Sequence, residues 1–292
     1  MNISKTLFLS LFLVLGGVAP AAAGPMKVFV TIPPQKYFVE KIGGGLVDVS
    51  VLVRPGTDPH HFEPKPREMT ELARAKVYFA IGLAFEEAWL DRLAAANPAL
   101  KIVRTDEGIE KMPMTEEDHH DEGHDEGHEE GSLDPHVWTS PRQVMVLARN
   151  ILAGLIEADP GNRAAYEAGY QSFLAELEVL DADLREVFRD RAGMKFLVFH
   201  PAWGYLARDY GLVQIPVEIE GKEPKPAQLK SLIELARRER IKVVFVQPQV
   251  SARSAELIAR EIGGQVLTAD PLAEDWGRNL RERAEKFRAA LK

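Results

Sequence analysis

The stretch from Asp159 to Gly193 reads DPGNRAAYEAGYQSFLAELEVLDADLREVFRDRAG and contains the longest helical pattern in the chain. Asp159 followed by Pro160 is typical of a helix start, because Asp accepts hydrogen bonds from free N–H groups and Pro tolerates the first turn. Gly193 suits a helix end. Apolar residues recur at spacings of three and four, which predicts one helix over residues 159–192, about 45 Å long. They are Tyr166, Tyr170, Phe173, Leu177, Leu180, Leu184 and Val187.

Strands and helices alternate on both sides of this helix. MKVFVTI (26–32) and VDVSVLV (47–53) are typical strands before it, and the same alternation resumes after it. Such alternation indicates βαβ units and a mainly parallel sheet. We predict an α/β fold with an N-terminal lobe over residues 24–158, a linking helix over 159–192 and a C-terminal lobe over 193–292. A partnered coiled coil is the alternative for the long helix.

The first 23 residues have the pattern of a signal peptide. Lys5 provides positive charge, Leu7 to Leu15 is apolar apart from Ser10, and three alanines end at Ala23. The apolar run is shorter than the roughly 20 residues that a spanning helix needs. We therefore expect cleavage near Ala23 and export to the periplasm, with a retained anchor as the alternative. The chain has no cysteine, which excludes disulfides, thiolate metal sites and a lipidated N-terminal cysteine.

The negative charge of the chain is local. The formal net charge is −8, and once Lys5 is removed the nine carboxylates within residues 116–131 account for all of it. A balanced remainder argues against nucleic acid as a partner. Glycines recur every four residues in this segment, here called the arm, and argue against a helix. We predict a loop that binds several divalent cations weakly, with a solvated insertion as the alternative. Its histidines are His119, His120, His124 and His128.

Four proline-containing segments place a metal-binding side chain at a defined position. Three of them follow predicted strands, and ligands of open α/β sheets bind at the carboxyl ends of the strands. Proline fixes its own φ and restricts the residue before it, so the backbone around each side chain is partly preset. The segments are Asp58-Pro59-His60-His61, Asp134-Pro135-His136, His200-Pro201 and Asp270-Pro271.

These segments predict one metal site between the lobes. Three imidazoles and one carboxylate suit Zn²⁺ in tetrahedral geometry, whereas sites made only of oxygen favour Mg²⁺, Ca²⁺ or Mn²⁺. His61 competes with His60 for a place in this site. We favour His60, because it directly follows Pro59. The predicted ligands are His60, His136, His200 and Asp270.

Five motifs resemble the zinc-uptake substrate-binding proteins of ABC transporters. The resemblance implies two α/β lobes joined by one rigid helix, with the metal between them on the four ligands named above. Manganese-binding relatives carry Glu at the position of His200, so the resemblance favours zinc, and it suggests Glu223 as a group that supports the ligands. Many zinc relatives have a cysteine pair that is absent here. The motifs are PGTDPHHFEPKPRE (55–68), DPHVWTSP (134–141), FHPAWGYLARDYGL (199–212), EGKEPKPAQL (220–229) and TADPLA (268–273).

The expected function is capture of Zn²⁺ in the periplasm and delivery to an ABC transporter permease in the inner membrane, by a monomer that is not an enzyme. One alternative is a solute-binding protein for manganese or another divalent metal. A second is a zinc-dependent hydrolase, since three histidines with an open position can activate water. Against it, the chain has no HExxH motif. A third is an adhesin-like or storage role dominated by the arm.

Overall fold

The computed structural model describes residues 24–114, 133–219, 221–249 and 253–290. Its strands form two sheets of four, with every neighbouring pair parallel. The first sheet has the order β2-β1-β3-β4 and the second the order β6-β5-β7-β8. The strands are β1 Met26–Val30, β2 Val47–Val51, β3 Val77–Ala80, β4 Lys101–Arg104, β5 Lys195–Val198, β6 Val213–Pro216, β7 Val243–Val246 and β8 Gln265–Thr268.

Helices connect these strands. The central strands β3 and β7 are buried along their whole length, as expected for parallel sheets with helices on both faces. The predicted α/β fold with two parallel lobes is therefore confirmed. The helices are α1 Pro33–Gly43, α2 Pro66–Leu72, α3 Ala84–Ala96, α4 Pro141–Ala158, α5 Arg163–Phe188, α6 Gly204–Asp209, α7 Pro226–Arg238, α8 Arg253–Glu261 and α9 Trp276–Ala290.

The long helix α5 lies between the two sheets in sequence and packs against both lobes. It has 26 residues, about 39 Å of helix, and follows a single 3-10 turn at Pro160–Asn162. Its apolar face contacts α1 and α4 on one side and α9 on the other. Five of the seven predicted apolar positions are buried, and Tyr170 and Val187 are half-buried. The chain itself covers this face, so the coiled-coil alternative is not supported. The residue boundaries of the lobes remain a prediction.

A buried carboxylate in the middle of α5 connects the lobes. Asp181 accepts a hydrogen bond of 2.9 Å from Arg142 Nε on α4 and one of 2.8 Å from the Tyr210 hydroxyl, just after α6. Asp181 is only 4% exposed, so these bonds offset the cost of removing its charge from water. The two lobes are therefore fixed to the same point of the helix.

A second connection between the lobes lies at the base of the cleft. The Trp138 indole N–H donates to the carbonyl of Pro271 at 2.8 Å, and the Trp276 indole N–H donates to the carbonyl of Trp138 at 2.8 Å. Trp138 and Trp276 are both almost fully buried. Each indole has its one donor satisfied across the cleft, as a buried tryptophan requires.

Another buried carboxylate stabilises the first lobe. Glu86 on α3 accepts hydrogen bonds from the Tyr78 hydroxyl at 2.9 Å, from the Thr31 hydroxyl, and from the backbone N–H groups of residues 81–83 at 2.6–3.1 Å. Burial raises the pKa of Glu86 above its usual value. This cluster closes the loops that follow β1 and β3.

Two of the predicted segments, the signal peptide over residues 1–23 and the arm over residues 116–131, lie outside the described residues. Within the part of the chain that the structure describes, no helix has both the length and the apolar character needed to cross a bilayer.

Candidate metal centre

Three histidines from distant parts of the chain meet between the lobes. The Nε2 atoms of His60, His136 and His200 form a triangle with 3.1 Å on each side. Among the described residues, these three form the only group of His, Cys, Asp or Glu side chains close enough to share a metal ion. The structure thus brings together three of the four predicted ligands.

Each histidine is fixed by its local backbone. His60 follows the buried Pro59, and its N–H donates to Asp58 Oδ1 at 2.9 Å. His136 uses the same arrangement, with its N–H donating to Asp134 Oδ1 at 2.9 Å. His200 comes two residues after the end of β5, beside the point where the order of the second sheet reverses. Such switch points are where α/β sheets form crevices.

Buried carboxylates orient two of the three rings. Asp134 Oδ1 lies 2.7 Å from His136 Nδ1, and Glu218 Oε1 lies 2.6 Å from His200 Nδ1. A carboxylate accepts a hydrogen bond, so each Nδ1 carries the proton and each Nε2 presents a lone pair. Carboxylate–imidazole pairs of this kind fix ring orientation and increase ligand basicity in metal sites. His136 and His200 therefore present acceptors, not donors, to the centre of the triangle.

The surroundings keep two of the imidazoles neutral. Burial lowers the pKa of His136. His60 is exposed as a residue, but desolvation of its ring inside the cleft, followed by the neighbouring imidazoles, lowers its pKa to about 3. Lone pairs that converge on one point cannot satisfy one another, whereas a cation can satisfy all of them. Tetrahedral Zn–N bonds of about 2.0–2.1 Å require N···N separations of about 3.3 Å, close to those observed.

Asp270, the fourth predicted ligand, lies at the side of this group and not within it. A cavity of about 10 Å³, enough for one small ion or water, is lined by the three histidines, by Gln249 and by Pro271, among others. Asp270 Oδ1 accepts hydrogen bonds from Gln249 Nε2 at 3.0 Å and from the N–H of Leu272 at 2.9 Å. Its role as a ligand remains a prediction.

The other predicted residues have different positions. His61 lies outside the cluster, with 80% of its side chain exposed and its Nδ1 2.8 Å from Asp58 Oδ2. Glu223 is exposed and accepts a hydrogen bond from the Ser254 hydroxyl. The carboxylate that supports His200 is Glu218. The arm histidines, His119, His120, His124 and His128, lie outside the described residues.

Sequence reasoning missed the role of Glu218, although a signal for it exists. Glu218 comes two residues after the end of β6, as His200 comes two residues after β5 and Asp270 two residues after β8. The run LVQIPVEI (212–219) has the composition of one strand that continues past Glu218, which conceals this position. Asp134 was also missed as an orienting group, and the repeated Asp-Pro-His pattern is its signal.

Known proteins match this chain over most of its length. A family model described as "Zinc-uptake complex component A periplasmic" (ZnuA) matches residues 28–290. The chain belongs to this family. A high-affinity zinc uptake system protein, ZnuA, from Bacillus subtilis is 31% identical over 254 residues, which cover 85% of this chain and 79% of the relative. An iron-binding protein, YfeA, from Yersinia pestis is 28% identical over 263 residues, covering 87% and 81%.

Solved structures confirm the fold. A crystal structure of ZnuA superimposes with a TM-score of 0.84 at 46% identity, and the match covers 92% of this chain and 100% of that one. The resemblance inferred from the motifs is therefore confirmed. Members of this extracytoplasmic family are substrate-binding proteins of ABC transporters, so the chain is a solute-binding protein and not an enzyme. The hydrolase alternative is not supported.

Proposed function

We propose that this protein captures Zn²⁺ in the periplasm, after removal of residues 1–23, and delivers it to the permease of an ABC transporter. The ligands are His60, His136 and His200, with Asp270 in the fourth position. The observation that carries the proposal is the triangle of Nε2 atoms 3.1 Å apart. Two of these atoms belong to rings whose Nδ1 is paired with a buried carboxylate.

The donor set supports zinc as the cargo. Imidazole nitrogen binds late first-row metals more strongly than Mn²⁺ or Fe²⁺, whereas carboxylate and carbonyl oxygens suit the harder ions. A site with three imidazoles therefore favours Zn²⁺, although a relative of similar length is named for iron. A fourth protein ligand from Asp270 closes the coordination sphere and leaves no position for a reacting water.

The proposal requires the segment that carries Asp270 to move its carboxylate to the ion. Its carboxylate bonds to Gln249, which lines the same cavity as the histidines. A bound cation attracts the carboxylate directly, and Gln249 can then bond to the second carboxylate oxygen. We expect zinc-loaded crystals to place an Asp270 oxygen about 2.0–2.2 Å from the ion. A loaded structure with water in that position would contradict this part of the proposal.

Metal preference tests the proposal as a whole. The parent protein is titrated with Zn²⁺ and Mn²⁺ against a chelator, beside the variant His200→Glu. The parent should bind one Zn²⁺ tightly and prefer it strongly to Mn²⁺. The variant should reduce this preference by about tenfold or more, because a harder oxygen replaces an imidazole. An unchanged preference would remove His200 from the ligand set.

The arm is proposed to bind additional ions weakly. The glycine-containing sequence predicts a loop, and fixing a loop around each ion would cost entropy and oppose binding. The cleft ligands are preset, so less ordering opposes binding there. Deletion of residues 116–131 should therefore remove the weakly bound metal ions from a calorimetric titration and leave the tightest binding phase unchanged. Loss of the tightest phase would place the principal site in the arm.

A further inference from the structure

A third carboxylate–imidazole pair lies at the edge of the metal centre. His61 Nδ1 is 2.8 Å from Asp58 Oδ2, which reproduces the pairing of His136 with Asp134 and of His200 with Glu218. As in those pairs, the carboxylate accepts the Nδ1 proton and leaves Nε2 with a lone pair. This pair differs in one respect, because the His61 side chain is 80% exposed.

Asp58 connects this exposed pair to the buried site. One carboxylate oxygen holds the ring of His61, and the other accepts the backbone N–H of His60 at 2.9 Å. Asp58 and His60 both line the metal cavity. His61 itself borders an open surface groove of about 620 Å³, whose charged lining residues are Arg54, Glu63, Lys65 and Glu68. Through Asp58, His61 is therefore an exposed neighbour of His60, the most exposed of the three cluster histidines.

A surface pair of this kind contributes little to stability. Its geometry is better suited to ligand exchange. A hydrated divalent cation loses its water molecules one at a time, and a site closed inside two lobes requires several of them to leave. An exposed, oriented imidazole can replace the first water while the others remain bound.

We propose that His61 is an entry and exit ligand for the divalent cation, which binds His61 Nε2 at the surface before it transfers to His60, His136 and His200. This inference rests on the proposed capture of zinc in the cleft. In the first step the Nε2 lone pair replaces one water of the hydrated ion. In the second, the cleft nitrogens replace further waters and His61 is released. With only one protein ligand, the intermediate is weak and exchanges rapidly.

This role has a specific kinetic consequence. A ligand that binds the ion only transiently stabilises neither the metal-free nor the metal-loaded protein. Removing it should slow association and dissociation by the same factor and leave the equilibrium affinity unchanged. A residue that positions His60 would instead change the affinity.

The test is a stopped-flow measurement with a zinc-sensitive fluorescent chelator. The parent is the full chain carrying His119→Asn, His120→Asn, His124→Asn and His128→Asn, so that the arm histidines cannot deliver the ion. His61→Ala and His61→Glu are made in this parent, the second restoring a metal ligand. Thr57→Ala, exposed on the same loop, is the matched control.

His61→Ala should reduce both rate constants about three- to tenfold, at the lower end of the range by which local capture accelerates association. The affinity of the tight site should stay constant, His61→Glu should restore the rates, and Thr57→Ala should leave them unchanged. Equal rates in the parent and His61→Ala would overturn the proposal, and so would a weakened tight site. Failure of the parent to bind zinc tightly would overturn the proposed function itself, and the parent measurement alone reveals it.

Discussion

Two polar clusters, one inside the first lobe and one between the lobes, differ in the balance of donors and acceptors. Around Glu86, two hydroxyls and three backbone N–H groups donate to one carboxylate. Around the three histidines, the Nε2 atoms lie 3.1 Å apart, and two belong to rings whose donor is already bound to a carboxylate. The first cluster is complete within the protein, whereas the second directs nitrogen atoms towards one point that a cation can occupy.

The comparison teaches where to look for function among buried polar groups. A cluster in which every group has a partner stabilises and defines the fold. A cluster of converging acceptors has a cost until a ligand binds, and it persists only because the surrounding structure holds it. The mutations below should separate these two roles.

The largest effect is expected at the ligands. Metal binding at a structural zinc site contributes roughly 10–16 kcal/mol over four ligands, so each ligand is worth about 3 kcal/mol. His136→Ala should therefore weaken zinc binding by about 100-fold or more, as measured by competition with a chelator. The thermal unfolding of the metal-free variant should change much less. An affinity within about threefold of the parent would mean that His136 does not bind the ion.

Glu86→Ala should have the opposite effects, with a large loss of stability and no change in zinc affinity. It removes the acceptor of five donors, and buried donors without a partner cost about 1–3 kcal/mol each before the structure relaxes. We expect a loss of about 3 kcal/mol in the free energy of unfolding, measured by urea denaturation, with zinc affinity unchanged while the protein is folded. A variant that stays stable but binds zinc poorly would show that the two clusters are not independent.

The supporting carboxylates should give an intermediate effect. Loss of a carboxylate that orients a metal-binding imidazole typically reduces metal affinity about 10–100-fold. We expect this from Asp134→Asn and Glu218→Gln in the same competition titration. Glu223→Gln is the matched control, since its carboxylate accepts from Ser254. If Glu223→Gln weakens binding as much as Glu218→Gln, Glu223 has the supporting role suggested by the family resemblance.

The smallest effect concerns pH. In the metal-free protein the pKa of His60 is lowered to about 3, whereas in the unfolded chain an imidazole has a pKa near 6.5. Between these values the unfolded state binds a proton that the folded state resists, so stability falls as pH decreases from about 6.5 towards 3. His60→Gln lacks this contribution. Its unfolding temperature should therefore improve relative to the parent as pH falls through that window, and parallel curves would refute the assignment.

Much of the fold could be predicted from the sequence because its signals are local. Strands rich in Val and Phe alternate with helices that begin at Pro33, Pro66, Pro141 and Pro226, and the apolar spacing in α5 marks the helix that both lobes share. The ends were less accurate. The long helix begins at Arg163, not at residue 159, because the first residues form a 3-10 turn.

The site was predictable to the extent that proline and strand ends restrict the backbone. His60, His136 and His200 are preset in this way and meet as predicted. Glu218 reaches His200 because the neighbouring strands β5 and β6 end side by side. The contact joins two residues that are 18 positions apart in the sequence, so local patterns do not reveal it. Asp270 depends on the orientation of one carboxylate, which a bound cation itself influences. The spacing of residues in the sequence does not predict the orientation of such a side chain.

Trp138 donates one hydrogen bond and accepts another across the cleft, and this has a consequence for how a transporter could recognise the loaded protein. This residue follows His136 by two positions and is bonded to both Pro271 and Trp276 across the cleft. Because these bonds and Asp181 hold the lobes at fixed points, filling the cleft leaves little room for a change of shape. What changes most is the local electric field, since two positive charges now lie between the lobes. If the protein delivers its ion to a permease as proposed, that partner would distinguish the loaded from the empty protein by the electrostatic potential at the mouth of the cleft, and salt would weaken the discrimination.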